Sequence, residues 1–290
     1  MTDPAILTKV CVALFVTTSL LHAGLALKVA QVRSPLRDPR LVLGALIGNF
    51  VLVPAAALLI ARLLHLSDGL SLGLLLVAMS AGAPFLPRLV ELARGNAALG
   101  VAVMTLLLVT TLAYLPLVLP RFAPGVPVAP WTIARPVLLL MLAPLAVGMV
   151  VRALWPWLAG RMGPPLHWVS RAAMLLVLVL LVVLDFERVR GVVGSGALAA
   201  AGLLVVAGIG IGFLTGGASR ERRRVLALGT GQRGISAALL IATHVAQDPD
   251  AAVMVAVVVL VGELILFSAA ALVGRLGRPA SDAEVVSPCP

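Results

Sequence analysis

Arg233 lies in Gly229-Thr230-Gly231-Gln232-Arg233-Gly234, a polar and glycine-rich interruption of an apolar run. About nine residues of that run precede it, which sets the guanidinium about 14 Å deep in a helix rising 1.5 Å per residue. An arginine at that depth in a membrane costs about 2.5–3.5 kcal/mol on insertion scales, so it needs a counter-charge or a wet cavity. Two partners are open. One is Glu263, the only carboxylate clearly inside an apolar segment, at comparable depth. The other is an anionic solute, for which Arg233 supplies the fixed charge. Both hold if Glu263 only orients the guanidinium.

A second interruption reads Ala78-Met79-Ser80-Ala81-Gly82-Ala83-Pro84-Phe85-Leu86-Pro87, and Asn49 adds an amide inside another apolar run. Breaking a helix frees backbone N–H and C=O groups that lipid cannot satisfy, and in a cavity those groups can hold an ion or a polar solute. The candidate site is therefore Asn49, Ser80, Gly82, Thr230, Gly231, Gln232, Arg233 and Glu263, with the two glycines allowing close approach of backbone. Taken singly, Asn49, Thr230 and Gln232 read as interhelical hydrogen bonders; their clustering near the breaks adds weight to a ligand role. Thr17, Thr18, Ser19, Thr105, Thr110 and Thr111 are expected to bond carbonyls of their own helices.

The chemistry of this set is holding, not bond-making. The sequence has no HExxH, GxSxG or Walker loop and no pair of intramembrane carboxylates, so an enzyme is not expected. The four histidines lack metal-ligand spacing: His22 and His244 fall near segment ends, His65 and His167 in loops. Cys11 and Cys289 form no metal or disulfide pattern, and no cofactor is expected.

The elements that must position these residues are membrane helices. Of 290 residues 61% are hydrophobic and 12% charged, against about 25% charged in a soluble domain, and mean hydropathy is +1.12. The net charge of +10 sits in short runs between apolar stretches, which excludes a nucleic-acid surface. A bilayer core takes about 20 apolar residues as helix. Nine segments qualify: 4–27, 40–64, 70–93, 96–119, 131–153, 166–185, 192–216, 225–246 and 251–274. The first is long for a secretory signal and no cleavage site follows it, so it is read as a span. Residues 1–279 then form one membrane domain, and 280–290 a flexible cytoplasmic tail.

Alternate loops hold 15 of the 22 Lys and Arg residues, in the groups Lys28–Arg40, Arg88 and Arg94, Arg152–Arg171, Arg220–Arg224, and Arg275 and Arg278. That side is expected to be cytoplasmic, with the N-terminus outside and the C-terminus inside a bacterial inner membrane. Trp131, Trp155, Trp157 and Trp168 fall at segment ends, as an aromatic belt requires. The two broken segments enter from opposite sides, each third in a set of four. Such paired breaks in inverted halves point to the binding site of a secondary transporter.

Four stretches resemble bacterial members of the bile acid:sodium symporter family, over about residues 10 to 275. They are Leu21 to Leu27 with the basic loop Arg33 to Arg40, Gly48 to Pro54, Ser80 to Leu92 continuing through Leu99, and Gly229 to Gly234. The resemblance implies an all-α membrane fold of nine transmembrane helices, with an inverted repeat and two discontinuous crossing helices. It implies a panel of 4–27, 131–153 and 166–185 and a core of the other six segments. It also implies alternating access for a small organic anion, bile-acid-like or a smaller carboxylate.

The family's sodium ligands would fall on Leu86, Pro87, Gly100, Met104 and Gly229, none of which offers a side-chain oxygen, and on Arg233. The expectation is that Arg233 takes a cation position permanently and that transport does not depend on sodium. The rivals are a proton-coupled exporter or uniporter using Glu263, and a non-transporting membrane sensor or scaffold.

Overall fold

The computed structural model describes residues 4–27, 38–122, 131, 135–184, 186–192 and 194–276, and all of its regular elements are helices. Lys28, Arg33, Arg37, Arg278, Cys289 and the tail at 280–290 lie outside these residues. Seven helices are long and apolar enough to cross a membrane: α1 (Pro4–Ala26), α2 (Pro39–Leu63), α5 (Ala97–Phe122), α6 (Val137–Leu154), α7 (Pro156–Leu184), α9 (Ala197–Thr215) and α12 (Pro249–Leu276). Each of the other two apolar segments is split, one into α3 (Asp68–Met79) and α4 (Leu86–Leu92), the other into α10 (Arg220–Gly231) and α11 (Ile235–Ala246). A short α8 (Phe186–Val192) follows α7. This is a multi-pass membrane protein.

Helix α7 begins ten residues before the expected segment, and it places His167 within a helix, not in a loop. Pro156 in its first turn has no intrahelical N–H to lose there. Twenty-nine residues make about 43 Å of helix, more than a hydrocarbon core needs. The helix therefore carries a polar first half, with Arg161 and exposed Trp157, beyond its apolar half.

Helix α1 packs along α6 and α7, while α9 packs along α10 and α12, and α12 along α3. Glycines set the closest of these crossings. A Cβ on Gly24 would lie 2.3 Å from the Leu145 carbonyl oxygen of α6, and one on Gly212 would lie 2.1 Å from that of Leu226 on α10. Lipid provides no hydrophobic drive between helices, so close backbone packing of this kind holds them together.

Helix α2 widens to π geometry over Gly48–Leu52. Pro54 has no N–H to offer the carbonyl of Phe50 four residues back, and its ring crowds that carbonyl. The Tyr114 hydroxyl takes the freed acceptor at 2.8 Å. The result is a local bulge, and Asn49 sits in it, fully buried.

Candidate functional site

The first break follows from two prolines and a strained glycine. Ser80 leaves α3 in extended geometry, Gly82 has φ +86°, and Pro84 and Pro87 lack N–H groups. Only glycine fits at 82, because a Cβ there would lie 2.3 Å from the Leu108 nitrogen and 2.6 Å from its Cα. At the second break Gln232 leaves α10 in extended geometry, and Gly234 precedes α11. A Cβ on Gly231 would meet Ile209 Cγ1 and Leu266 Cδ2 at 2.8 and 2.9 Å.

The two breaks cross and pair. Ala81 and Arg233 form an isolated antiparallel bridge, in which the Gly234 N–H donates to the Ser80 carbonyl at 2.9 Å. Thr111 of α5 completes the crossing. Its hydroxyl accepts from the Ala81 N–H at 3.0 Å and donates to the Ala81 carbonyl at 3.1 Å. This corrects the expectation that Thr111 bonds its own helix; Thr105 and Thr110 do bond theirs, to Val101 and Leu106. Spacing along α5 could not distinguish them, since the partner is 30 residues away.

Arg233 is 5% exposed, and its guanidinium turns back onto the ends of both broken helices. Nη1 donates to the Ala78 carbonyl at 3.2 Å, and Nη2 donates to the Thr230 carbonyl. Those carbonyls belong to the last turns of α3 and α10, which lack intrahelical donors and carry the negative ends of their helix dipoles. Hydrogen bonds to a charged group contribute about 1.5–3 kcal/mol each, so two are enough to offset the arginine's insertion cost. No ion pair joins Arg233 to Glu263 among the described residues. Both instead line one small cavity, with Gly231 and Gly262. Of the two partners left open by the sequence, the carboxylate is therefore not taken, and backbone carbonyls supply most of the compensation.

The remaining polar residues sit close by. Asn49 donates through Nδ2 to the Ala45 carbonyl at 2.9 Å and to Thr230 Oγ1 at 3.0 Å, and its Oδ1 has no partner. Gln232 is 1% exposed. Neither polar atom of its amide completes a hydrogen bond, although the Glu263 carboxyl lies alongside it. Ser80 points away from any ligand role, donating to the Leu76 carbonyl at 2.8 Å. The buried, unpartnered Oδ1 of Asn49 is costly in a finished core and natural in a site that binds something.

On the other face of Arg233 a cleft opens between α1, α7, the first break and α11, with about 690 Å³ of empty space including its mouth. Its titratable lining is basic, Arg88, Arg171, Arg233, His22 and His167, with Ser19, Ser170 and Ser236 beside them and no carboxylate among the described residues that line it. The Arg171 guanidinium lies 5.7 Å from the Phe85 ring centre and 5.8 Å from that of Trp168, a cation–π clamp that aims it at the cleft. An adjoining chamber shares Phe85, Arg171, Met174 and Ile235 with the cleft and adds Glu263. From sequence, Arg88 and Arg171 read as loop anchors. Each falls near a segment end and counts toward the basic side, and nothing in the spacing brings α4 and α7 together.

A family model described as "Sodium Bile acid symporter family" matches residues 12–191. The chain belongs to that family. It is a family of transporters. One curated relative, "Uncharacterized sodium-dependent transporter YocS" of Bacillus subtilis (strain 168), is 28% identical over 142 residues. That alignment covers 49% of this chain and 44% of the relative, so the chain spans less than half of that protein's length.

Some of the positions that the resemblance sets against sodium ligands lie side by side in pairs. A Cβ on Gly229 would lie 3.0 Å from Leu86 Cδ2 and 3.6 Å from Val103 Cγ1, and one on Gly100 would lie 3.4 Å from the Pro87 Cα. Met104 is also buried. Hydrocarbon from Leu86, Val90 and Val103 fills the space around Gly100 and Gly229.

Proposed function

We propose that this protein is a secondary transporter of an organic anion, and that Arg233 does permanently what a bound cation does elsewhere in the family. The observation that carries this reading is the guanidinium bonded to the carbonyl ends of both broken helices. A cation at that place neutralises two helix C-termini and adds positive field to the adjoining cleft. A covalently attached cation does so without a sodium gradient, so transport is independent of sodium. The apolar filling at Leu86, Gly100, Met104 and Gly229 supports the same reading, since a hard cation requires about six oxygen ligands or a near equivalent.

The anion binds in the basic cleft, against Arg88 and Arg171, with Arg233 behind them and Asn49, Thr230, Gln232 and Glu263 lining or bracing the crossing. Glu263 stands beside Gln232 as its orienter. Nine crossings, an inverted repeat, and movement of a panel of α1, α6 and α7 against the remaining helices give alternating access. The arginine-rich end faces the cytoplasm of a bacterial inner membrane, with the N-terminus outside.

The test is uptake of radiolabelled benzoate, fumarate and taurocholate, as choline salts, into proteoliposomes. At least one of the three is taken up, and Arg171→Gln and Arg88→Gln each lower its uptake tenfold or more. Uptake unaffected by both substitutions contradicts the cleft as the route. Saturable binding without flux for all three contradicts the transporter reading and favours a sensor.

A further inference from the structure

Two imidazoles in the cleft have no part in the reading above. His22 of α1 and His167 of α7 face each other with ring centres 5.1 Å apart and planes inclined by 41°. Nδ1 of His22 and Nε2 of His167 are both buried, and neither has a hydrogen-bond partner. His22 also lies beside the backbone of Gly163, one turn before His167. A neutral imidazole has one acceptor nitrogen and one N–H, and here a buried ring nitrogen of each histidine is left without a partner. Such an atom is satisfied by a proton or by a donor that arrives with a ligand.

The surroundings decide which. Arg88 comes from α4, Arg171 from α7 and Arg233 from the second break, and α11 adds only the hydroxyl of Ser236. Helix α6 packs Leu145 and Gly148 against α1, with Arg152 one turn further on. His244 closes the far end of α11, and Glu263 of α12 lines the adjoining chamber. Among three arginines, an imidazolium has no counter-charge in the cleft while it is empty. An entering anion supplies one.

We propose that the His22–His167 pair takes up one proton from water as the anion enters, so that the protein carries protons with its anion. This rests on the anion-transport reading. The proton goes onto Nδ1 of His22 or Nε2 of His167 and leaves to water with the anion on the other side. For a monoanion the cycle is electroneutral.

The test uses the full-length protein in detergent, mixed with choline benzoate, fumarate or taurocholate in weakly buffered solution containing a pH indicator. Binding is expected to consume about one proton per anion. Affinity is expected to rise as pH falls from about 8 to about 6, approaching tenfold per unit where the pair titrates. In His22→Gln and His167→Gln, proton consumption falls at least fivefold. Anion binding with no proton consumed and a flat pH profile in the unaltered protein overturns the proposal and leaves the transport reading standing. So does consumption that survives in both histidine variants, or that disappears only in Glu263→Gln. Failure of all three anions to bind contradicts the transport reading itself, and the proton proposal falls with it.

Discussion

The guanidinium of Arg233 reaches across 155 positions of sequence to the Ala78 carbonyl, and with its other amino group holds the Thr230 carbonyl of its own broken helix. One side chain thereby ties together the C-terminal ends of α3 and α10. The crossing is also pinned by backbone, through Gly234 and Ser80, so Arg233 adds charge to a geometry that already exists. Arg233→Lys retains the charge but loses the fork that spans two carbonyls. It is expected to retain some flux, while Arg233→Gln loses flux at least tenfold, both measured in proteoliposomes with expression and gel-filtration profiles unchanged.

The two glycines of the breaks should differ in tolerance. Gly82 has positive φ and would drive a Cβ into the backbone of Leu108, which cannot move without α5. Gly82→Ala is expected to destabilise by about 2 kcal/mol or more, from left-handed strain plus the clash. At Gly231 the close contacts would be side-chain atoms, Ile209 Cγ1 and Leu266 Cδ2, which can shift more readily than backbone. Gly231→Ala should cost less than half as much. Thermal unfolding in detergent ranks the pair, and equal losses would contradict the backbone argument.

Thr111 and Thr110 are adjacent threonines with different consequences. Thr111→Val removes the donor and the acceptor that satisfy Ala81, leaving buried backbone groups unpaired at a cost of about 1–3 kcal/mol each. Thr110 bonds a carbonyl of its own helix, and Thr110→Val is expected to be nearly neutral. Thermal stability of the two variants, side by side, checks this.

Asp38 provides a pH-dependent contact at the start of α2. The Leu41 N–H holds its carboxyl below the ordinary range, with Arg222 at 2.7 Å and the Arg40 N–H adding to the effect. A depressed pKa means stability present above the unfolded-state value and lost as pH falls through the folded one. Asp38→Asn keeps an N-cap but loses the ion pair. Its small deficit in thermal stability at neutral pH should therefore shrink with added salt and vanish under acid conditions, whereas the deficit of Asp38→Ala should persist in part.

Much of the frame was legible in the sequence. Apolar length gave seven of the nine segments as helices long enough to cross a membrane, and glycines, joined by prolines in the first case, located both breaks to within a few residues. Hydropathy says how deep a side chain lies but not which way it faces. That is why Glu263, at a depth similar to Arg233, stayed open as its partner, whereas the guanidinium bonds the Ala78 and Thr230 carbonyls. It is also why His167 and Arg171 read as belonging to a loop. Helix α7 continues through Pro164 and Pro165, and its turn toward α1 brings His22 and His167 together across 145 positions. Thr111 was missed for the same reason, since its partner lies on another helix.

The central claim is that Arg233 stands in for a cation. Uptake of benzoate, fumarate and taurocholate into proteoliposomes, with a sodium gradient or with choline in its place, tests it most directly when run beside Arg233→Gln. The account predicts equal uptake in both salts for the unaltered protein and loss of uptake in the variant. Uptake that needs sodium while Arg233 is intact would contradict it, and would mean that backbone carbonyls and Asn49 build a cation site around the guanidinium.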